Sequence, residues 1–249
     1  MEAIRSRQNE LVKRFIALGG SARERQQAGQ FLCAGGTLLQ EAVASGAEIT
    51  CVLSTEDIPG LPVRLVTTEV LKAVSPLQNS PGPVFTVKMR PLPPAEALRR
   101  VIVLENVQDP GNVGTVLRTA DAFGMDLAVL CGACADPYNP KTVRASMGAV
   151  FRQSVVQTDL EGLAGALHGL PLYGAALAPG GLDVRDLPAD GPLAVAVGNE
   201  GRGLTQPLLA LCAGTVRIPM GPRTESLNAG VAAAVVMWEM VRKDMPWQG

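Results

Sequence analysis

The chain has 249 residues, of which 47% are hydrophobic and 18% charged, enough to fill a core and too apolar for a disordered segment. A net charge of −1 argues against a general nucleic-acid binder, and 4% aromatic content leaves little material for a base-stacking sheet. The charge is uneven: residues 1–100 hold 12 Lys/Arg against 9 Asp/Glu, and residues 101–249 hold 10 against 14.

The opening "MEAIRSRQNE" lacks the apolar core of a signal peptide, and the apolar run Ala229 to Trp238 is too short to span a bilayer. A cytoplasmic protein without a membrane segment is expected. In the first 25 residues Arg5, Arg7, Lys13, Arg14, Arg23 and Arg25 face only Glu2, Glu10 and Glu24. This cluster reads either as a solvated helix face or as a phosphate-contacting surface. The pattern then predicts a helix over about 7–18, strand "FLCAG", helix "TLLQEAVASG", strand "ITCVLS", a short strand "RLV", helix "TEVLKAV" and strand "PVFTVKM". Residues 1–90 therefore form a small α/β domain. "RPLPPAEALRR" follows, with three prolines, and 91–100 reads as a linker.

From 101 to 249 apolar strands alternate with helices. "VIVLEN", "LAVLCG", "QSVVQT", "LYGAAL", "LAVAVG" and "TVRIPM" read as strands; "GNVGTVLRTADAFG", "KTVRASMGAV", "LEGLAGALHG", "TQPLLALCA" and "SLNAGVAAAVVMWEMVRK" read as helices. Such alternation implies an α/β domain with a parallel sheet covered on both faces. Ligands in that class sit at the carboxyl ends of strands. Polar residues gather at three such ends: Asn106, Asn112, Arg118 and Asp121; Asn199 and Glu200; Arg223, Glu225, Ser226 and Asn228. Taken singly, Asn112 and Ser226 read as helix caps and Gly198 and Gly201 as turn residues. Three loaded strand ends of one sheet read better as a site.

The turn "GNEGRGL" has G-x-x-G-x-G spacing, not the G-x-G-x-x-G of a dinucleotide site, and no Lys-Ser/Thr follows. The five cysteines, Cys33, Cys51, Cys131, Cys134 and Cys212, fit reduced buried thiols. "CGAC" supplies half of a zinc ligand set and no second pair exists, so no metal is expected. His168 is the single histidine, which disfavours a Ser-His-Asp mechanism.

"NVQDPGNVGTVLRTADAFG", "AVGNEGRGL" and "RIPMGPRTESLNAGVAAAV", in that order, resemble the SpoU/TrmH family of RNA ribose 2′-O-methyltransferases of the SPOUT superfamily. The likeness runs from Val101 to about Lys243, and residues 1–90 look like the family's ribosomal-protein-like substrate-binding domain. The resemblance implies a deep trefoil knot in the carboxyl-terminal domain and S-adenosyl-L-methionine as cofactor, held at Gly198, Ile218 and Leu227. It carries Asn112, Arg118, Glu200, Ser226 and Asn228 over as the catalytic set, with all five present. It also implies a homodimer and makes RNA the partner; the basic cluster of the first 25 residues then puts Arg5, Arg7 and Lys13 on the RNA surface. Large-subunit ribosomal RNA is the expected substrate. A tRNA methyltransferase of the same family, an antibiotic-resistance member and a non-catalytic ribosome-assembly factor are the alternatives.

Overall fold

The computed structural model describes residues 3–76, 82–223 and 226–245. The chain divides into two units, Met1–Arg90 with Asp136–Arg152, and Pro91–Ala135 with Gln153–Gly249.

In the first unit, α1 (Glu10–Gly20) and α2 (Ala22–Ala28) are started by Asn9 and Ser21, whose side chains accept backbone N–H groups of the first turn. Sequence periodicity registers one helix here; the second is too short and polar to announce itself. β1 (Gln30–Ala34), α3 (Gly36–Ala44), β2 (Ile49–Ser54), β3 (Val63–Leu65), α4 (Thr68–Val74) and β4 (Val84–Lys88) follow. The sheet order is β1-β4-β2-β3, antiparallel except for the β2–β3 pair. Val12, Phe15 and Leu18 of α1 and Val70, Leu71 and Val74 of α4 pack in one core with Leu32, Leu53 and Val84. A second core joins Phe31, Val52 and Phe85 to Leu39 and Ala42 of α3.

Residues 136–152 complete that second core. The sequence pattern assigns them to the second domain, but Tyr138, Val143, Val150 and Phe151 pack with Phe31, whose ring centroid lies 4.9 Å from Tyr138 and 6.1 Å from Phe151. Here the contiguous domain 101–249 is corrected: apolar side chains missing from 1–90 come from an excursion of the later chain. The predicted helix 141–150 is also shorter, α6 (Pro140–Ala145), because Met147 and Gly148 are left-handed at φ 50° and 89°. Gly148 is required as well by a neighbour: an added Cβ would stand 3.0 Å from Glu41 Cβ. Arg25, counted above with the exposed cations, is buried, and its guanidinium is held by Asp136 and, at 2.6 Å, by the carbonyl of Leu18.

The second unit opens with β5 (Arg100–Glu105), so the linker's last residue is already strand. Next come α5 (Pro110–Ala122), β6 (Leu127–Cys131), β7 (Val155–Thr158), α7 (Leu160–Leu167), β8 (Leu172–Ala175), β9 (Leu182–Asp183), β10 (Leu193–Val197), α8 (Gln206–Leu211), β11 (Gly214–Arg217) and α9 (Ala229–Val241). Every strand pair is parallel, in the order β7-β6-β5-β10-β8-β11-β9. β5, β6 and β10 are buried throughout because both faces are covered. Ile102, Leu104, Val195 and Val197 pack toward α5 and α9, while Val101, Val103, Ala194 and Ala196 pack with Leu163 and Leu167 of α7 and Leu208 of α8. The chain steps outward from β5 to β7, crosses back, and inserts β10 between β5 and β8. That insertion sets the carboxyl end of β10 beside that of β5, with Val197 opposite Leu104. Among the described residues no helix is long and apolar enough to cross a membrane.

Candidate active site

One open cavity of about 370 Å3 lies at the carboxyl ends of β8, β10 and β11. Ala175, Val197, Val216, Ile218, Met220 and Leu227 give it apolar lining; Asn199, Glu200, Arg202, Arg217 and Ser226 give it polar lining.

The turn after β10 closes on itself. The Gly203 N–H donates to the Asn199 carbonyl at 2.8 Å, and Gly203 is left-handed at φ 66°. A Cβ on Gly198 would stand 2.3 Å from the Gly203 carbonyl carbon and oxygen. Gly198 is therefore required because backbone approaches backbone. Gly201 is less constrained, since an added Cβ would meet only Asn199 Oδ1, at 3.6 Å.

Three side chains tie this turn to the end of β5 and the start of α5. Asn199 Nδ2 donates to the Asn106 carbonyl at 3.2 Å. Asn112 Nδ2 donates to Glu200 Oε1. Thr205 donates its backbone N–H to Glu105 at 2.7 Å and its hydroxyl at 2.5 Å. Asn228 Nδ2 then donates to Asn112 Oδ1 at 3.0 Å, so three strand-end segments meet in one chain of hydrogen bonds.

These contacts show which side chain caps each helix. Asp109, with Pro110 behind it, caps α5 by accepting the Asn112 N–H at 2.8 Å, which leaves the Asn112 side chain for Glu200 and Asn228. The cap of α9 is Asn228, not Ser226: Asn228 Oδ1 accepts from Gly230 at 3.0 Å and Val231 at 3.3 Å while its amide nitrogen reaches Asn112. Glu200, Gly198, Ile218, Ser226 and Leu227 line the cavity; Arg118 does not. It is exposed on α5, six residues past Asn112, which is about 9 Å along the axis and about 120° around it. Among the described residues it has no hydrogen bond or ion pair. Glu225 lies outside the described residues. Arg5, Arg7 and Lys13 are exposed, but only Lys13 is helical, and it pairs with Glu10 at 2.8 Å.

Sequence reasoning missed Glu105 and Thr205; the signal was an acid closing the apolar run "VIVLE". Asn106 is left-handed at φ 57°, and its Oδ1 accepts the Ala133 N–H at 2.8 Å, so it braces two loops at once. In the "CGAC" pair, burial pushes Cys131 and Cys134 up to about 11, which keeps both as thiols at neutral pH. Among the described residues no group of three or more His, Cys, Asp or Glu side chains gathers as a metal site.

Residues 99–238 match the model of the SpoU rRNA Methylase family. The chain belongs to this family. Its similarity to named members extends over both units. It is 32% identical to the 23S rRNA (guanosine(2553)-2′-O)-methyltransferase RlmP of Bacillus subtilis, covering 96% of this chain and 99% of that protein. It is 30% identical to the 23S rRNA (uridine(2479)-2′-O)-methyltransferase of Streptomyces viridochromogenes, covering 94% of this chain and 90% of that one. The AdoMet-bound rRNA methyltransferase of Sinorhizobium meliloti aligns with a TM-score of 0.84 at 27% identity, over 98% of this chain and 99% of the other.

Proposed function

We propose that the protein methylates a ribose 2′-hydroxyl of large-subunit ribosomal RNA, with S-adenosylmethionine as methyl donor. One observation carries the reading: the hydrogen-bonded chain Asn228–Asn112–Glu200 ends in Glu200, which lines a cavity on the carboxyl ends of parallel strands. The cavity fits a cofactor of this kind. Its volume of about 370 Å3 lies in the range of small-molecule sites, and its lining joins aliphatic side chains to the backbone of a tight glycine turn. Gly198, Ile218 and Leu227 are the residues that would hold it. When bound, the cofactor supplies an electrophilic methyl group on a sulfonium centre.

The side chains divide the remaining work. Asn112 and Asn228 fix the Glu200 carboxylate, and Ser226 shapes the cavity mouth beside it. Arg118 clamps substrate phosphate and stabilises charge developing on the 2′-oxygen; a guanidinium stays protonated, so it is not the base. Since Arg118 lies outside this chain's own cavity, it serves the cavity of a second copy in a homodimer. Val231 and Trp238 on α9, about half exposed, support that interface. The carboxyl-terminal segments of the second unit form the trefoil knot of the SPOUT superfamily. The first unit is the RNA substrate-binding domain, and an RNA substrate accords with a cytoplasmic location.

Incubation with methyl-labelled S-adenosylmethionine and separate pools of unmodified rRNA and tRNA tests the reading. Label is expected in a ribose of 23S rRNA, and Arg118→Ala should lower kcat by about a hundredfold or more while cofactor affinity holds. Label confined to tRNA would reassign the substrate. For the first unit, charge reversal at Arg5, Arg7 and Lys13 together should weaken RNA binding about tenfold or more at low salt and leave cofactor affinity alone. Losses of equal size in both affinities would remove the RNA surface from these residues.

A further inference from the structure

Glu105 ends β5, a strand buried along its whole length, and is itself 4% exposed. Burying a carboxylate is unfavourable unless its oxygens are satisfied. Here each oxygen takes one donor from a single residue: Oε2 accepts the Thr205 N–H at 2.7 Å and Oε1 the Thr205 hydroxyl at 2.5 Å. Among the described residues no Lys or Arg pairs with it, so the carboxylate is spent on geometry alone. Thr205 is the residue where the glycine turn enters α8, and it caps that helix through Leu208 N. At the other end of the turn Asn199 is held by the carbonyl of Asn106, the neighbour of Glu105. Glu105 and Asn106, the last residue of β5 and the one after it, thus grip both ends of the cavity-lining segment 198–204.

We propose that Glu105 is a positioning residue for the reaction: through Thr205 it fixes the exit of the glycine turn, and so sets both the cofactor cavity and the placement of Glu200 against Asn112. This rests on the cofactor reading above for its effect on binding, but not for the grip itself. A cap for α8 alone would need only the Thr205 hydroxyl, whereas the bidentate hold on backbone and side chain fixes the chain direction at the hinge.

Glu105→Gln preserves shape and removes one acceptor oxygen; Thr205→Val removes the hydroxyl, and Thr205→Ser restores it. Hydrogen exchange of peptides covering 198–205 in cofactor-free protein reads the grip directly. Calorimetry with S-adenosylmethionine and filter binding with 23S rRNA read its consequence. Both disruptive variants should raise exchange in the turn and the cofactor Kd about tenfold, with the RNA Kd near wild type and the melting temperature lowered by only a few degrees, the cost of one buried hydrogen bond. Thr205→Ser should behave as wild type, and Glu105→Gln with Thr205→Val should be no worse than either alone. Unchanged exchange in the turn would overturn the grip. Faster exchange with an unchanged cofactor Kd would overturn its role in positioning. A wild-type protein that binds no S-adenosylmethionine would instead sink the cofactor reading, and the exchange measurement would still decide the grip.

Discussion

Gly198→Ala is expected to cost about a hundredfold or more in affinity for S-adenosylmethionine, with both cores still folded. The added Cβ falls 2.3 Å from the carbonyl of Gly203 and 2.5 Å from Leu204 N, and these are backbone atoms with no rotamer to yield. The turn must open, which breaks the 2.8 Å Gly203–Asn199 hydrogen bond and carries Glu200 away from Asn112. Gly198 lies beyond the last residue of β10, so the sheet register through Val197 survives. Gly201→Ala is the matched control: its Cβ meets nothing nearer than Asn199 Oδ1 at 3.6 Å, and near-native binding is expected. Titration calorimetry on the two variants decides the matter. Similar losses at both positions would mean that the shape of the turn is not what the cofactor depends on.

The contrast between these glycines marks what a sequence can carry. Three glycines in "GNEGRGL" announce a tight turn, and the run "LAVAV" before it announces a buried strand, because composition and period are local properties. Which glycine is indispensable depends on where the chain returns five residues later, and that is not local. The asparagines behave likewise. Asn112 and Asn228 stand near helix starts, where capping is the ordinary explanation; only the fold reveals that Asp109 caps α5 and frees Asn112 to bridge two other strand ends. Glu105 was hidden for the same reason, since its role resides in a partner 100 residues away. The parallel sheet was legible from its strands. The excursion 136–152 was not, because Tyr138, Val143 and Phe151 look equally apolar whichever core they enter.

That excursion leads to the second large effect. Arg25→Met should destabilise the first unit by about 3–5 kcal/mol, because it leaves Asp136 without its cation while a substantial part of the core hangs on that contact. The Arg25 side chain is 3% exposed and that of Asp136 17%, so water does little to screen or replace the pair. Asp136→Asn keeps the acceptor that caps the Tyr138 N–H at 2.9 Å and removes only the charge, leaving Arg25 buried and unneutralised. The double variant leaves neither charge stranded, so it should cost clearly less than the sum of the two, with a coupling of about 2 kcal/mol or more. Denaturant unfolding followed by hydrogen exchange locates the loss: faster exchange in β1 and β4, with β5 and β10 protected as before. Additive costs would show that the pair contributes packing and no charge interaction. Because every residue lining the cavity proposed for the cofactor lies in the other unit, cofactor affinity should stay at the wild-type value in all three variants. A first unit that holds the RNA then requires rRNA affinity to fall only as that unit unfolds, in proportion to its folded fraction, and RNA still bound at a denaturant concentration that has melted the first unit of Arg25→Met would place the RNA surface elsewhere.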